Sequence, residues 1–368
     1  MQLESLTIIN YKNIREGNLR LSPNINCFLG DNGMGKTNFL DTIYYLSFCK
    51  SHSNSIDSQN ILHGEEFFMI SGEYNRMDTP ESIYCAMKRR QKKQFRRNKK
   101  EYDRLSDHIG LLPLVMVSPD DAILIDGGSD ERRKFIDGVI SQYNKTYLQY
   151  LMNYNNLLKQ RNALLKEDSQ QDSSIYDILE EQLDAIGNYI HSERVRFISD
   201  FIPVFQHFYT IISNDSEKVD LIYSSQYNEQ PSLVEKLKAT RDRDKLIGFT
   251  TSGIHKDELE MLLEDHPIKR IGSQGQNKTY LVSLKFAQFE FLKKIHGFKP
   301  ILLLDDIFDK LDAKRVAKIV GLVSSDLFGQ IFITDTNREH LDSILSELEH
   351  EALIFTVKEG VATQVGLL

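Results

Sequence analysis

The chain has 368 residues, a net charge of −8 at pH 7, 40% hydrophobic residues and 27% charged residues. That length allows two domains, and that composition is ordinary for a folded globular protein. It excludes low-complexity and collagen-like chains, no apolar run approaches a membrane span, and the acidic total argues against binding nucleic acid by bulk positive charge alone. In chain order, residues 2–9, 18–21 and 25–29 read as short strands. Residues 1–6 show neither the basic cluster nor the apolar core of a signal peptide, so a cytoplasmic chain is expected. Cys27, Cys49 and Cys85 are scattered and form no CxxC pair, which points to reduced thiols rather than a zinc site.

The apolar run 25–29 leads into Gly30-Asp31-Asn32-Gly33-Met34-Gly35-Lys36-Thr37, which fits G-x-x-x-x-G-K-[ST] at every fixed position. After Asn38, the spacing of Leu40, Ile43 and Tyr44 predicts a helix over 38–47. A glycine loop between strand and helix is a phosphate cradle. Glycine permits positive φ, so backbone N–H groups crowd toward phosphate oxygens, and the helix N-terminus adds partial positive charge. The loop therefore predicts an ATP or GTP site. Lys36 is expected at the β- and γ-phosphates, and the Thr37 hydroxyl at Mg²⁺.

Residues 66–105 look strand-rich, with 67–74 and 82–88 as candidate strands. The stretch 88–100, KRRQKKQFRRNKK, carries nine Lys or Arg residues interrupted by Phe95. Lys92, Lys93, Arg96 and Arg97 are candidate contacts to nucleic-acid phosphates. The alternative is a solvated hairpin with Asn98 in its turn. Residues 114–117 form a compact apolar strand. From 130 the period becomes helical. Phe135, Ile136, Val139 and Ile140 share a stripe over 132–142, and Tyr147, Leu151, Tyr154, Leu158 and Leu165 mark a long helix. A polar break covers 167–174. Tyr176, Leu179, Leu183, Ile186 and Ile190 then recur every three or four residues, completing a helical hairpin with a short coiled-coil-like seam. Residues 201–212 form a further apolar segment, and 224–231 a loop.

Two carboxylates, Asp305 and Asp306, end the apolar run 301–304, which reads as a central parallel strand. Ligands of α/β sheets bind at such C-terminal ends. Asp305 is the candidate Mg²⁺-organising carboxylate, and Asp306 is placed to polarise the attacking water. About thirty residues earlier, Ser273-Gln274-Gly275-Gln276 precedes a helix predicted over 278–291. In this order, Ser-x-Gly-Gln resembles the signature motif of ABC-type ATPases, which binds the γ-phosphate held by the opposite subunit. Phe308-Asp309-Lys310-Leu311-Asp312 looks like that family's D-loop. Residues 330–336 form another buried strand. The candidates for its switch residue are Thr334, Asp335 and Thr336, and no glutamine stands out for a Q-loop.

Further elements run in one family's order: Asn10-Tyr11-Lys12-Asn13, with Lys12 for the usual Arg; Asn32 and Asn38 around the loop; Leu46-Ser47 with Lys50-Ser51-His52; Ser118-Pro119-Asp120-Asp121; Gly127-Gly128-Ser129 with Arg132-Arg133; and Ser252-Gly253-Ile254-His255-Lys256-Asp257-Glu258-Leu259. Together they resemble the RecF family of bacterial recombination mediators over essentially the full length. The resemblance implies an α/β fold: an ABC-type P-loop ATPase head of mixed sheet, flanking helices and antiparallel β subdomain, with an inserted helical lobe. The expected segments are head 1–125, helical lobe 126–240 and head 241–368. It also implies ATP with Mg²⁺, an ATP-dependent homodimer, slow DNA-stimulated hydrolysis, binding to gapped or junction DNA, and action with RecR and RecO to load RecA. Competing readings are another SMC-like or defence ATPase and, with less support, a transporter subunit; the basic run and missing switch histidine oppose the last.

Overall fold

The structure is a computed structural model that describes residues 1–167, 173–214, 217–228, 230–309, 311–336 and 352–367. In chain order the strands are β1 (Gln2–Tyr11), β2 (Ile14–Arg20), β3 (Ile25–Leu29), β4 (Phe67–Arg76), β5 (Thr79–Lys88), β6 (Gln94–Arg97), β7 (Lys100–Glu101), β8 (Leu114–Val117), β9 (Val219–Ser224), β10 (Glu258–Leu263), β11 (His266–Pro267), β12 (Ile301–Asp305), β13 (Ile331–Asp335), β14 (Ala352–Lys358) and β15 (Val361–Leu367). The described α-helices are α1 (Lys36–Phe48), α2 (Ile123–Asp126), α3 (Ser129–Ser141), α4 (Lys145–Leu165), α5 (Ser173–Ser213), α6 (Leu233–Ile247), α7 (Ile268–Ile271), α8 (Gln274–His296) and α9 (Ala313–Ser324). None of them is long and apolar enough to cross a membrane.

The chain divides into two compact units. The first comprises 1–122, 208–216 and 273–368, and the second 123–207 and 217–272. In the first, a mixed sheet runs in the order β15-β14-β3-β13-β12-β8. Strands β14, β3, β13, β12 and β8 pair in parallel, with β8 at the sheet edge. The last four read as continuous apolar runs because both faces are buried; every residue of β12 is buried. Phe28 of β3 stacks on Phe39 of α1 at 5.3 Å and on Phe355 of β14 at 5.1 Å, tying helix and neighbouring strand to the strand before the glycine loop.

A second sheet, β2-β1-β4-β5-β6-β7, is antiparallel. β1 alternates buried and more exposed residues, as expected for a sheet with one face in the core. Paired residues at positive φ close its hairpins: Met77 and Asp78 between β4 and β5, and Asn98 and Lys99 between β6 and β7. Two consecutive left-handed residues match the twist of a two-residue hairpin turn.

The second unit holds α3, α4, α6 and most of α5 with the small sheet β11-β10-β9. α5 is 41 residues long and contains Pro203, so the expected segment 201–212 is the continuation of one helix rather than a separate one. Of the expected polar break, 168–172 lies outside the described residues. The seam between α4 and α5 includes Arg161, fully buried against Glu180 and Asp244 at 2.9 and 2.8 Å. Segment 241–272, grouped with the head by sequence, clusters with this unit. Two contacts account for it: β10 pairs with β9, and Asp257, just before β10, takes an ion pair from Arg194 at 2.8 Å.

Candidate functional site

The glycine loop leaves the C-terminal end of β3 and enters α1. Gly33 and Gly35 adopt φ of 80° and 103°. A Cβ on Gly35 would collide with the Asn13 side chain, so this position needs glycine for space as well as conformation. Asn13 braces the loop. Its Nδ2 donates to the Met34 carbonyl at 3.2 Å, and its Oδ1 accepts from Asn38 at 2.8 Å. A second brace was invisible in the sequence. Gly360, in the β14–β15 turn, donates its N–H to the same Met34 carbonyl at 2.9 Å. A Cβ on Gly360 would strike the Asn13 carbonyl. No local signal links residue 360 to residue 34, because a hairpin at the far end of the chain makes the contact.

Lys36 is buried and folds back over its loop, donating to the carbonyls of Gly30 at 2.9 Å and Asp31 at 3.1 Å. Asp31, Asn32 and Gly33 are exposed, and Met34 is half-buried. The Thr37 hydroxyl lies between both oxygens of Asp305, at 2.9 and 3.0 Å, across 268 positions of sequence. β12 and α1 thus bring the expected Lys36, Thr37 and Asp305 into one cluster.

Parallel pairing sets Asp305 beside Thr334 of β13. The Thr334 hydroxyl donates to Asp305 Oδ1 at 2.6 Å. Of the three switch candidates, Thr334 is the fully buried one, and it faces the carboxylate. Burial pushes the Asp305 carboxyl up, against the lowering pull of its two hydroxyl donors. Asp306 turns out of the strand at φ 44°, an uncommon conformation for a residue with a Cβ. Its N–H reaches the Thr334 carbonyl at 3.3 Å and hydroxyl at 3.2 Å, and its carbonyl accepts from Lys278 at 3.3 Å. Burial raises its carboxyl as well, while the Lys36 charge lowers it.

Two hydroxyl-paired oxygens of a buried carboxylate beside a phosphate loop form a hard-oxygen donor set that fits Mg²⁺. A divalent cation there would relieve the burial that drives Asp305 toward protonation.

Ser273 caps α8. Its hydroxyl accepts from the Gln276 N–H at 3.2 Å, and Gln276 Oε1 accepts from the Ser273 N–H at 2.8 Å, a reciprocal capping box. Ser273 and Gln274 are exposed, and Gly275 and Gln276 half-buried. Five residues on, Lys278 touches the Asp306 carbonyl, so α8 joins this exposed tip to the acidic strand end. Asp312 caps α9, and Lys310 lies outside the described residues.

The basic run divides. Lys92 is exposed. Arg96 is half-buried and lies over the Tyr84 ring at 5.5 Å. Lys93 and Arg97 differ from the expectation that they project toward phosphates. Lys93 turns inward to Asp57 at 2.7 Å, and Arg97 forms a two-pronged pair with Glu81, itself 2% exposed. Asp57 lies in a short 3-10 turn after α1 and Glu81 near the start of β5, beside the Arg97 end of β6, neighbours that sequence spacing does not reveal. The exposed cations here are Lys88, Arg89, Arg90, Lys92, Lys99 and Lys100. In the second unit, Arg132 grips Glu258 through two hydrogen bonds of 2.7 and 2.9 Å. His255 bonds to Tyr154 and the Thr250 carbonyl, both at 3.0 Å, so these motif residues hold that unit together.

The model of the RecF/RecN/SMC N-terminal domain matches residues 2–362. With the sheet order and the Thr37–Asp305 cluster, this defines an ABC-type ATPase head of the SMC-related class. Relatives called DNA replication and repair protein RecF extend the match to the full length. That of Bacteroides thetaiotaomicron is 58% identical over 367 residues, covering 100% of this chain and 99% of the relative. That of Porphyromonas gingivalis is 49% identical over 363 residues, covering 98% and 99%. The chain belongs to the RecF family. A solved structure of the recombination mediator protein RecF with ATP, in the RecFOR pathway, aligns with a TM-score of 0.89 at 27% identity, over 99% of this chain and 98% of that one. An Smc head bound to the C-winged helix domain of ScpA aligns at 0.62 and 15% identity, over 100% and 98%, which shows a shared fold alone.

Proposed function

We propose that this protein is an ATP-dependent recombination mediator: it binds ATP with Mg²⁺, dimerises on it, holds gapped or junction DNA, and acts with RecR and RecO in loading RecA. The observation that carries the nucleotide function is the Thr37 hydroxyl held between both oxygens of Asp305 beside the glycine loop. In this reading Gly30 to Asn38 cradle the triphosphate, and Lys36 exchanges its loop carbonyls for β- and γ-phosphate oxygens. Thr37 and Asp305 would hold Mg²⁺, which neutralises charge on the phosphates. Asp306 accepts the proton of the attacking water, giving ADP and phosphate.

Ser273, exposed at the start of α8, would meet the γ-phosphate held by a second copy, with Gln274, Gly275 and Gln276 completing that edge. ATP then acts as a clamp whose hydrolysis releases the dimer. The exposed cations of the 88–100 hairpin would engage DNA phosphates, with steep salt dependence. Family membership, full-length similarity to RecF proteins and the RecF–ATP alignment support this function.

Light scattering with ATP, ADP or no nucleotide, each with and without gapped DNA, tests it. ATP-specific dimers that bind DNA are expected. A monomer under every condition would overturn the clamp, and an ATP dimer without DNA affinity would overturn the mediator function.

A further inference from the structure

α1 begins in the phosphate loop and ends in a cluster that nucleotide chemistry does not require. Cys49 closes the helix at φ 57°. The Lys93 ammonium donates to the Cys49 carbonyl at 2.6 Å, Asp57 Oδ2 at 2.7 Å and Tyr45 Oη at 3.0 Å, and lies 5.0 Å from the centre of the Tyr45 ring. Its side chain is only 12% exposed. A cation here also complements the negative end of the helix dipole. His108 adds a second grip on the last turn, its Nε2 at 2.7 Å from the Leu46 carbonyl.

Lys93 belongs to the same short connection between β5 and β6 that exposes Arg90 and Lys92. One loop therefore offers charge to solvent at 90 and 92 and, at 93, grips the far end of the phosphate-loop helix. A 13-residue helix moves as one hydrogen-bonded body about 18 Å long. A shift at Cys49 is thus delivered to Lys36 and Thr37 at its start.

We propose that Lys93 is a positioning residue that couples DNA held by the basic hairpin to ATP turnover at the glycine loop, with α1 as the connecting rod. This rests on the ATP- and DNA-binding function proposed above. Phosphates drawn to Arg90 and Lys92 displace the loop, and the Lys93 ammonium carries the displacement into the helix end. Lys93 itself touches neither nucleotide nor DNA.

The test compares wild type, Lys93→Met, Lys93→Arg, Asp57→Asn and the double variant Arg90→Ala/Lys92→Ala. ATP turnover is measured with and without saturating gapped duplex DNA, DNA affinity by fluorescence anisotropy, and folding by thermal melting. Lys93→Met should keep DNA affinity within about twofold and turnover without DNA, yet lose the stimulation by DNA. Lys93→Arg, which retains the charge, should restore most of it. Asp57→Asn weakens the same cluster from the other side. It should lose stimulation too, and it decides the matter if Lys93→Met does not fold. The double variant should bind DNA at least about tenfold more weakly. Full stimulation in Lys93→Met or Asp57→Asn overturns the coupling, as does loss of DNA affinity in parallel with stimulation, which would make Lys93 an ordinary contact. Wild-type turnover indifferent to bound DNA overturns the coupling as well, whereas wild type that binds no DNA overturns the underlying function instead.

Discussion

At the scale of single residues, the chemistry converges on Asp305. Two hydroxyls, from Thr37 and Thr334, serve its buried carboxylate. Thr334→Val removes one donor from a buried acceptor at nearly constant shape, a loss of about 1–3 kcal/mol. ATP turnover should fall about tenfold or more by that reasoning, and the melting temperature should change with it; unchanged turnover would mean that Thr334 does not orient Asp305. Asp306→Asn keeps the size of the side chain but cannot accept the proton. It should bind ATP, hydrolyse it at least about a hundredfold more slowly, and accumulate as a dimer in sizing experiments. A monomeric Asp306→Asn with ATP bound would contradict the clamp. Lys36, Thr37, Asp305 and Asp306 were legible because a motif and an apolar strand with acids at its end carry their own spacing. Thr334 was only one of three candidates until the β12–β13 register set it beside Asp305.

At the scale of elements, buried polar networks hold what the apolar stripes only outline. Arg161 lies in the α4–α5 seam with Glu180 and Asp244, all fully buried. Arg161→Met would leave buried Asp244 with no cation, only its Thr251 donors, while Glu180 keeps its pair with Arg241 at 2.6 Å, and it should destabilise the second unit by about 3–5 kcal/mol in urea unfolding. His108 and His255 act on the pH axis. Desolvation lowers each to about 4 in the folded state, against about 6.5 when unfolded. Between those values the unfolded chain binds more protons, so stability rises with pH there. The contribution of the neutral, buried rings is intact above pH 6.5 and is lost as pH falls toward 4. Melting temperatures should drop across that window, and less steeply in His108→Asn or His255→Asn, each compared with wild type at the same pH. Neither shows in a periodicity argument: Arg161 reads as a gap in the α4 stripe, and His108 and His255 lie outside the α-helices and strands.

At the scale of the whole molecule, Ser273 and Gln274 stay exposed although the proposed function gives their motif a part in a nucleotide site. An exposed tip on α8 fits a site completed by a second copy. Ser273→Arg should therefore abolish the ATP-dependent dimer in light scattering while leaving ATP affinity of the monomer within about threefold; a normal dimer would return Ser273 to helix capping alone. By itself the sequence determined the fold class, the phosphate loop, the acidic strand and the family. Each rests on motifs whose own residues lie close together in the chain, where strand burial and helical spacing act locally, and on the order of those motifs along it. Tertiary structure decided the rest. It brought Thr37 to Asp305 across 268 positions and Gly360 against the loop at Met34. It paired Lys93 and Arg97 of the basic run with Asp57 and Glu81. It grouped segment 241–272 with the helical unit. The physical reason is common to all four: hydrogen bonds and ion pairs between distant segments depend on sheet register and chain reversal, and a linear sequence does not specify which distant partners those reversals bring within three ångströms.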